Sequence, residues 1–250
     1  MKILFVASEF TPIAKVGGLG DVIGALPRAL AKLGLEVSVV IPRYGFIKKH
    51  QLQLVARDIA VPLARAREKI SLYKLYLKES RVTLFLVDNI HYWTHGPEPY
   101  FEQTALAGVK REIQRFVFFS KAVFYLLAEN AFGTIDIVHA HDWHSGALVA
   151  MLRNQKPHAN RQAGKIKNQN VRTIFTIHNL GNQGRWNAKE IDNWFWSKHE
   201  QPVFRKFGRD YNFIAEGILN ADWITTVSPT YAKEILTKKY GQGLEWILKN

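Results

Sequence analysis

Cysteine is absent from the 250 residues. That excludes disulfides, thiolate metal sites and a cysteine nucleophile. No apolar run approaches the length needed to span a membrane. The opening segment, Met1 to Ala7, is too short for a secretory h-region and runs directly into Glu9. No membrane is expected, and a cytoplasmic location is the default. Acidic residues are scarce beside basic ones, 21 against 34, which leaves a net charge of +13. Such a balance raises nucleic acid as a partner. The basic residues are dispersed, however, through Arg43, Lys48, Lys49, Arg65, Arg67, Lys69, Lys74 and Lys78. No nucleic-acid motif accompanies them, so no such partner is expected. The charge is equally compatible with an anionic substrate.

What is present reads as a folded chain, 47% hydrophobic and long enough for a sizeable core. Residues 2–8 read as a buried strand, 19–33 as a helix restrained by Pro27 and stopped by Gly34, and 37–41 as a second strand. Short connections make these a parallel β-α-β unit. Further strands are expected over 52–61, 70–78 and 82–87. The aromatic, proline-rich stretch 88–101 reads as a functional loop. A helix over about 110–129 follows, whose stripe of Ile113, Phe116, Val117, Ser120, Val123, Phe124 and Leu127 reads as core. Next come a strand over 135–141, a helix over 145–153 and a surface loop over 154–170. That loop carries Lys156, Arg161, Lys165 and Lys167 without an acid. A strand over 171–177 ends at His178-Asn179. Residues 186–217 show weak periodicity, 223–227 a last strand, and Pro229 the start of a terminal helix. No repeat or interdomain linker interrupts this alternation, which predicts an open, mainly parallel Rossmann-like α/β sheet.

Ligands of such sheets bind beyond the carboxyl ends of the strands. Three polar groups fall there: Glu9 with Lys15-Val16-Gly17-Gly18-Leu19-Gly20-Asp21, then His141-Asp142-Trp143-His144, then His178-Asn179. A glycine-rich turn between a strand and a helix start is a phosphate-binding corner, with Lys15 at its lip. Glycine there serves a tight β–α turn equally well, and the spacing is neither the dinucleotide nor the P-loop signature. Asp21 in the first helical turn has the helix dipole as an alternative reason, and Lys15 a solvated surface. His139, His141, Asp142 and His144 raise a metal site. The aspartate stands one place early for H-x-H-x-D-H, so no metal is assigned, and His139 reads as a buried, satisfied core histidine. Asp142 and Ser145 are both candidate caps for the next helix. His178 is alternatively a strand-end residue bonding its own turn. No Gly-x-Ser-x-Gly elbow is present to support serine hydrolysis.

Four stretches together carry a family resemblance. They are Ser8-Glu9 with Lys15 to Val22, Val138 to Gly146, Thr176 to Gly184, and Gly217 to Asp222 with Thr225 to Ile235. In this order they resemble bacterial glycogen synthases and plant starch synthases. The resemblance implies transfer of glucose from ADP-glucose to the non-reducing end of an α-1,4-glucan, with retention and without a cofactor or metal. It implies residues 1–250 as the N-terminal half of a two-domain GT-B glycosyltransferase. It places Lys15, Gly17, Gly18, Asp21 and Asn179 on the donor, and Glu9, His144 and Trp93 on the sugar and acceptor side. His178 and Asp142 fall in the catalytic position. Val16 stands where the family has threonine; Trp93 and Asn182 stand where it has tyrosine. Family members continue past a point corresponding to Asn250 into a nucleotide-binding domain. The resemblance therefore implies a chain that is weak or inactive alone. Its half is then a fragment, a subunit completed by a second chain, or a non-catalytic glucan-binding module.

Overall fold

The computed structural model describes residues 1–77, 79–93, 106–154 and 171–249. Residues 94–101 of the first expected loop, 155–170 of the second, and Lys78 lie outside the described residues. Lys2–Val6 (β1) is followed by a helix over Gly18–Lys32 (α1) and a strand over Glu36–Pro42 (β2). Then come strands over Gln53–Pro62 (β3), Arg67–Leu77 (β4) and Val82–Asp88 (β5), and a long helix over Leu106–Ala128 (α2). Ile137–His141 (β6), the helix Trp143–Arg153 (α3) and Arg172–Ile177 (β7) form the next unit. Arg185–Asn187 (β8), the helix Ala188–Phe195 (α4), Asp210–Asn212 (β9) and the helix Phe213–Asn220 (α5) follow. Trp223–Thr226 (β10) and short helices over Pro229–Glu234 (α6) and Glu245–Leu248 (α7) end the chain.

Eight strands share one sheet in the order β10-β7-β6-β1-β2-β5-β4-β3. All pairings from β10 to β5 are parallel; only the β5-β4-β3 edge is antiparallel. The open, mainly parallel sheet read from the sequence is therefore the observed one. Chain order runs outward from β1 on one side through β2, and returns on the other through β6. The crevice between the carboxyl ends of β1 and β6 is thus the topological switch point.

Helices cover both faces. Leu4 and Val6 turn toward the core beneath α2, α3 and α5, whereas Phe5 and Ala7 join Ile23 and Leu19 of α1. Burial on both faces explains why β1 reads as an unbroken apolar run instead of alternating. The stripe on α2 is core as expected: Phe116, Val117, Ser120 and Val123 are buried, and only Phe124 is partly exposed. α1 accommodates Pro27 and ends where predicted, with Gly34 at φ +87°. The Leu35 and Gly34 amides donate to the Leu30 and Ala31 carbonyls, the paired bonds that close a helix around a left-handed residue.

α3 begins otherwise than the sequence indicated. It starts at Trp143, not Ser145, because Asp142 leaves β6 at φ +54° and turns the chain directly into the helix. Neither candidate cap bonds the helix end through its side chain. Asp142 makes no side-chain cap bond, and Ser145 lies inside α3 with its Oγ donating to the His141 carbonyl at 2.8 Å. Residues 186–217, weakly periodic as a sequence, hold two helices and a two-stranded ladder. There Asn212 caps α5 by accepting from the Ala215 amide at 3.1 Å, while its Nδ2 donates to Gln183 Oε1 at 2.8 Å. Asn212→Ala is expected to destabilise the domain by about 1 kcal/mol. Urea denaturation measures this as a lower midpoint at unchanged slope.

Candidate active site

A cavity of about 720 Å³ opens at the switch point. Glu9 comes from the end of β1, Gly17 and Gly18 from the start of α1, Asp142 and His144 from the end of β6, and His178 and Asn179 from the end of β7. Seven of the ten residues singled out in the sequence therefore share one wall system.

The glycine corner separates into two functions. A Cβ on Gly20 would stand 2.9 Å from Glu9 Oε2, and one on Gly24 3.0 Å from Thr11. Those glycines allow close helix–strand packing. A Cβ on Gly17 or Gly18 would meet nothing within 4 Å, and neither residue has a left-handed backbone. Among the described residues, no contact of a Cβ requires glycine at these two positions; their small size keeps the cavity open at the helix N-terminus. Gly17, at the cap position, supplies no side-chain bond to the end of α1. That end consequently presents the positive pole of the helix to the cavity.

Glu9 organises this corner from below. Its Oε2 accepts from the Val16 amide at 2.7 Å and the Gly17 amide at 2.9 Å. The Gly17 N–H is thus already engaged, which leaves anion contact to the next amides of α1. Lys15 and Asp21 do not line the cavity. They form an exposed ion pair at 2.7 Å, each side chain about half accessible. Such pairs are worth little, about 0–1 kcal/mol, so Lys15 exchanges partners at small cost.

Asp142 links two strand ends. Its amide donates to the Thr176 carbonyl, and its Oδ1 accepts from the His178 amide at 2.7 Å and the Asn179 amide at 3.3 Å. Its backbone, at φ +54° and ψ −178°, lies in a region essentially reserved for glycine. Burial pushes its carboxyl up to about 7; the two amides oppose that shift and the charge on Glu9 adds to it. Asn179 makes the turn read from the sequence, its Oδ1 accepting from the Gly181 amide at 2.9 Å.

The histidines are held neutral. Burial lowers His139 and His178 to about 4 and His144 to about 3, and holds His141 well below its ordinary value. His139 is the satisfied core histidine expected, with Nε2 2.7 Å from Thr176 Oγ1. His178 does not bond its own turn; its Nε2 lies 3.0 Å from His141 Nδ1. Among the described residues, no three His, Asp or Glu side chains gather in a way that could hold a metal ion.

Trp93 departs from its expected place. It is 1% exposed and packs on Phe118 and Phe119 of α2, away from the cavity lining. Burying an indole against two phenyl rings outweighs presenting it to solvent. The cavity is also lined by Glu112 and Arg185, which the sequence reading missed, and by Trp143, Gln183 and Gly184, which it quoted within motifs without giving them a role. Glu112 left a signal: it is a carboxylate beside Ile113 at the start of a buried helical stripe, and it is 2% exposed. Gly184, at φ +60°, lies against the Trp143 ring, where a Cβ would come within 2.4 Å. That contact needs the fold and has no sequence signature.

An open, mainly parallel sheet whose cavity at the switch point joins an uncapped helix N-terminus to polar strand ends is the ligand-binding architecture of the Rossmann-like α/β class. The chain belongs to the starch synthase catalytic domain family, whose model matches residues 2–250. It is 36% identical over 255 residues to glycogen synthase of Exiguobacterium sibiricum, covering 100% of this chain and 50% of that protein. It is 38% identical over 256 residues to glycogen synthase 2 of Nitrosococcus oceani, covering 99% of this chain and 48% of that one. The catalytic domain of starch synthase IV from Arabidopsis thaliana, solved bound to ADP and acarbose, superposes with a TM-score of 0.78 at 26% identity. That match covers 99% of this chain and 49% of the solved one. The chain spans about half the length of the curated relatives it matches. Among the described residues, no helix is long and apolar enough to cross a membrane.

Proposed function

We propose that this domain forms one wall of an active site that transfers glucose from ADP-glucose to the non-reducing end of an α-1,4-glucan, with retention, in glycogen or starch synthesis. The observation that carries the reading is the pair Gly17 and Gly18, which clear space at an uncapped helix end inside a cavity shared with Asp142, His144 and His178. Membership of the starch synthase family, and the ADP and acarbose bound by the starch synthase IV domain, support it. The leaving diphosphate gains negative charge as the glucosyl bond breaks. Fixed amides at the α1 N-terminus, with Lys15 released from Asp21, stabilise that charge. His178 faces the transferred glucose, and Asp142 fixes its main chain. His144 and Glu112 lie toward the acceptor, and Glu9, the boundary between the two sides, braces the donor corner through the Val16 and Gly17 amides. Donor and glucan are the substrates, and no cofactor takes part. The opposite wall is assigned to polypeptide equivalent to the other half of the relatives, in the same chain or a second one.

Gly18→Val tests the reading. The Cβ it adds meets nothing within 4 Å, so the thermal midpoint should change little. It fills the space reserved for the donor, so ADP-glucose affinity, measured by calorimetry on this chain, should fall about tenfold or more. Unchanged affinity in a folded Gly18→Val protein would remove the donor from this corner. Radiolabelled glucose incorporation into glycogen, by the chain alone and with the other half added, reports the transfer itself. Glucan binding without any donor-dependent incorporation would point to a binding module instead.

A further inference from the structure

Behind His178 the cavity wall contains a stack of rings. His139 and His141 are stacked with centroids 4.3 Å apart, and Phe5 covers His141 at 5.4 Å and 15°. His141 is fully buried. Its Nδ1 faces His178 Nε2 at 3.0 Å, and its buried Nε2 meets no hydrogen-bond partner among the described residues. His178 lines the cavity, with its remaining nitrogen, Nδ1, free of any protein bond among the described residues.

Two neutral imidazoles 3.0 Å apart share a single proton between the facing nitrogens. If His178 were the donor, His141 would carry its proton on Nε2, as a buried N–H with no acceptor. That arrangement is the rare and unfavourable one. If His141 is the donor, its Nε2 carries no proton, and the proton of His178 sits on Nδ1.

We infer that His141 is a positioning residue: by donating its Nδ1–H to His178 Nε2, it holds His178 in the tautomer whose Nδ1–H is left for the cavity. His178 therefore offers its ligand a hydrogen-bond donor and not a basic lone pair. It recognises an oxygen acceptor, such as a sugar hydroxyl or a glycosidic oxygen, and abstracts no proton. The tautomer stands on this geometry alone; identifying the acceptor as sugar oxygen rests on the proposed function.

Long-range proton–nitrogen NMR on the labelled chain at neutral pH reads the tautomers directly. The expected spectrum has protonated Nδ1 and bare Nε2 on both His141 and His178. A protonated Nε2 on His178 overturns the inference. His141→Asn keeps an amide N–H close to where Nδ1–H stood and should leave the His178 tautomer unchanged. His141→Phe keeps the stacking but removes the donor, and should move His178 toward the Nε2–H form. An unmoved tautomer in His141→Phe overturns the positioning role. If that variant does not fold, the wild-type spectrum still decides, because a protonated Nε2 on His178 is incompatible with donation from His141 Nδ1 across the 3.0 Å contact. In a synthase containing this domain, kcat/KM should fall about 3- to 10-fold in His141→Phe and recover in His141→Asn. Addition of ADP-glucose should shift the His178 Nδ1 signal without changing the tautomer. The expected tautomer with no response to ADP-glucose counts against the sugar-nucleotide reading alone.

Discussion

Asp142→Ala is expected to lower stability by about 2–4 kcal/mol, because it strips the acceptor from the His178 and Asn179 amides and leaves the strained backbone in place. Transfer by a synthase carrying this domain should fall about 100-fold or more, since the loop that sets the position of His178 is released. Two companion substitutions separate the causes. Asp142→Gly relieves the backbone at φ +54° but loses the acceptor, so it should be less damaging to stability than alanine and equally damaging to activity. Asp142→Asn keeps an oxygen for the two amides and should be the mildest. It also removes a titration. The native carboxyl is raised from 3.8 to about 7, so the folded state holds a proton that the unfolded chain releases. The stabilisation from that group is complete below about pH 4 and is lost as pH rises through 7. Asparagine does not titrate. Thermal midpoints measured from pH 4 to 8 should therefore shift in favour of Asp142→Asn as pH rises, then level off. A parallel pair of curves would remove burial as the cause.

The sheet was legible because its strands are buried on both faces and its turns carry Gly, Pro and Asn. Val82 to Val87 and Val37 to Ile41 permit little else. The strand ends were legible for the same reason: polar side chains directly after apolar runs, in an alternating chain, converge at one edge. Geometry was not legible. Nothing local distinguishes Gly17 and Gly18, which face open space, from Gly20 and Gly24, which face Glu9 and Thr11. Asp142 was read as a cap because its position in the chain is that of a cap; its side chain instead reaches across to β7, a partner 36 residues away. Trp93 was placed by analogy to a family position, and tertiary packing on α2 overrides such analogy. Residues 186–217 hid their helices because each is only 8 residues long and is held by capping Asn187 and Asn212, not by a long apolar stripe.

Glu9→Ala is expected to weaken ADP-glucose binding by about 100-fold. Two opposed effects decide this number. Removing a carboxylate beside an anion site relieves repulsion, worth on the order of 1–2 kcal/mol in an open cavity. Removing the acceptor of the Val16 and Gly17 amides frees the corner that aims the α1 N-terminus, and hydrogen bonds to a charged group are worth about 1.5–3 kcal/mol each. With two such bonds lost, disorder of the corner outweighs the relief. Glu9→Gln reverses the balance, because an amide oxygen still accepts from both amides while the charge is gone. Donor affinity in that variant should hold or rise a few-fold. It should also lower the titration points of His178 and Asp142, since the Glu9 charge raises both. Calorimetry with ADP-glucose, beside carbon-detected titration of Asp142, measures the two effects separately. Equal loss of affinity in the alanine and glutamine variants would mean that the charge of Glu9, and not its grip on the glycine corner, is what the donor site requires.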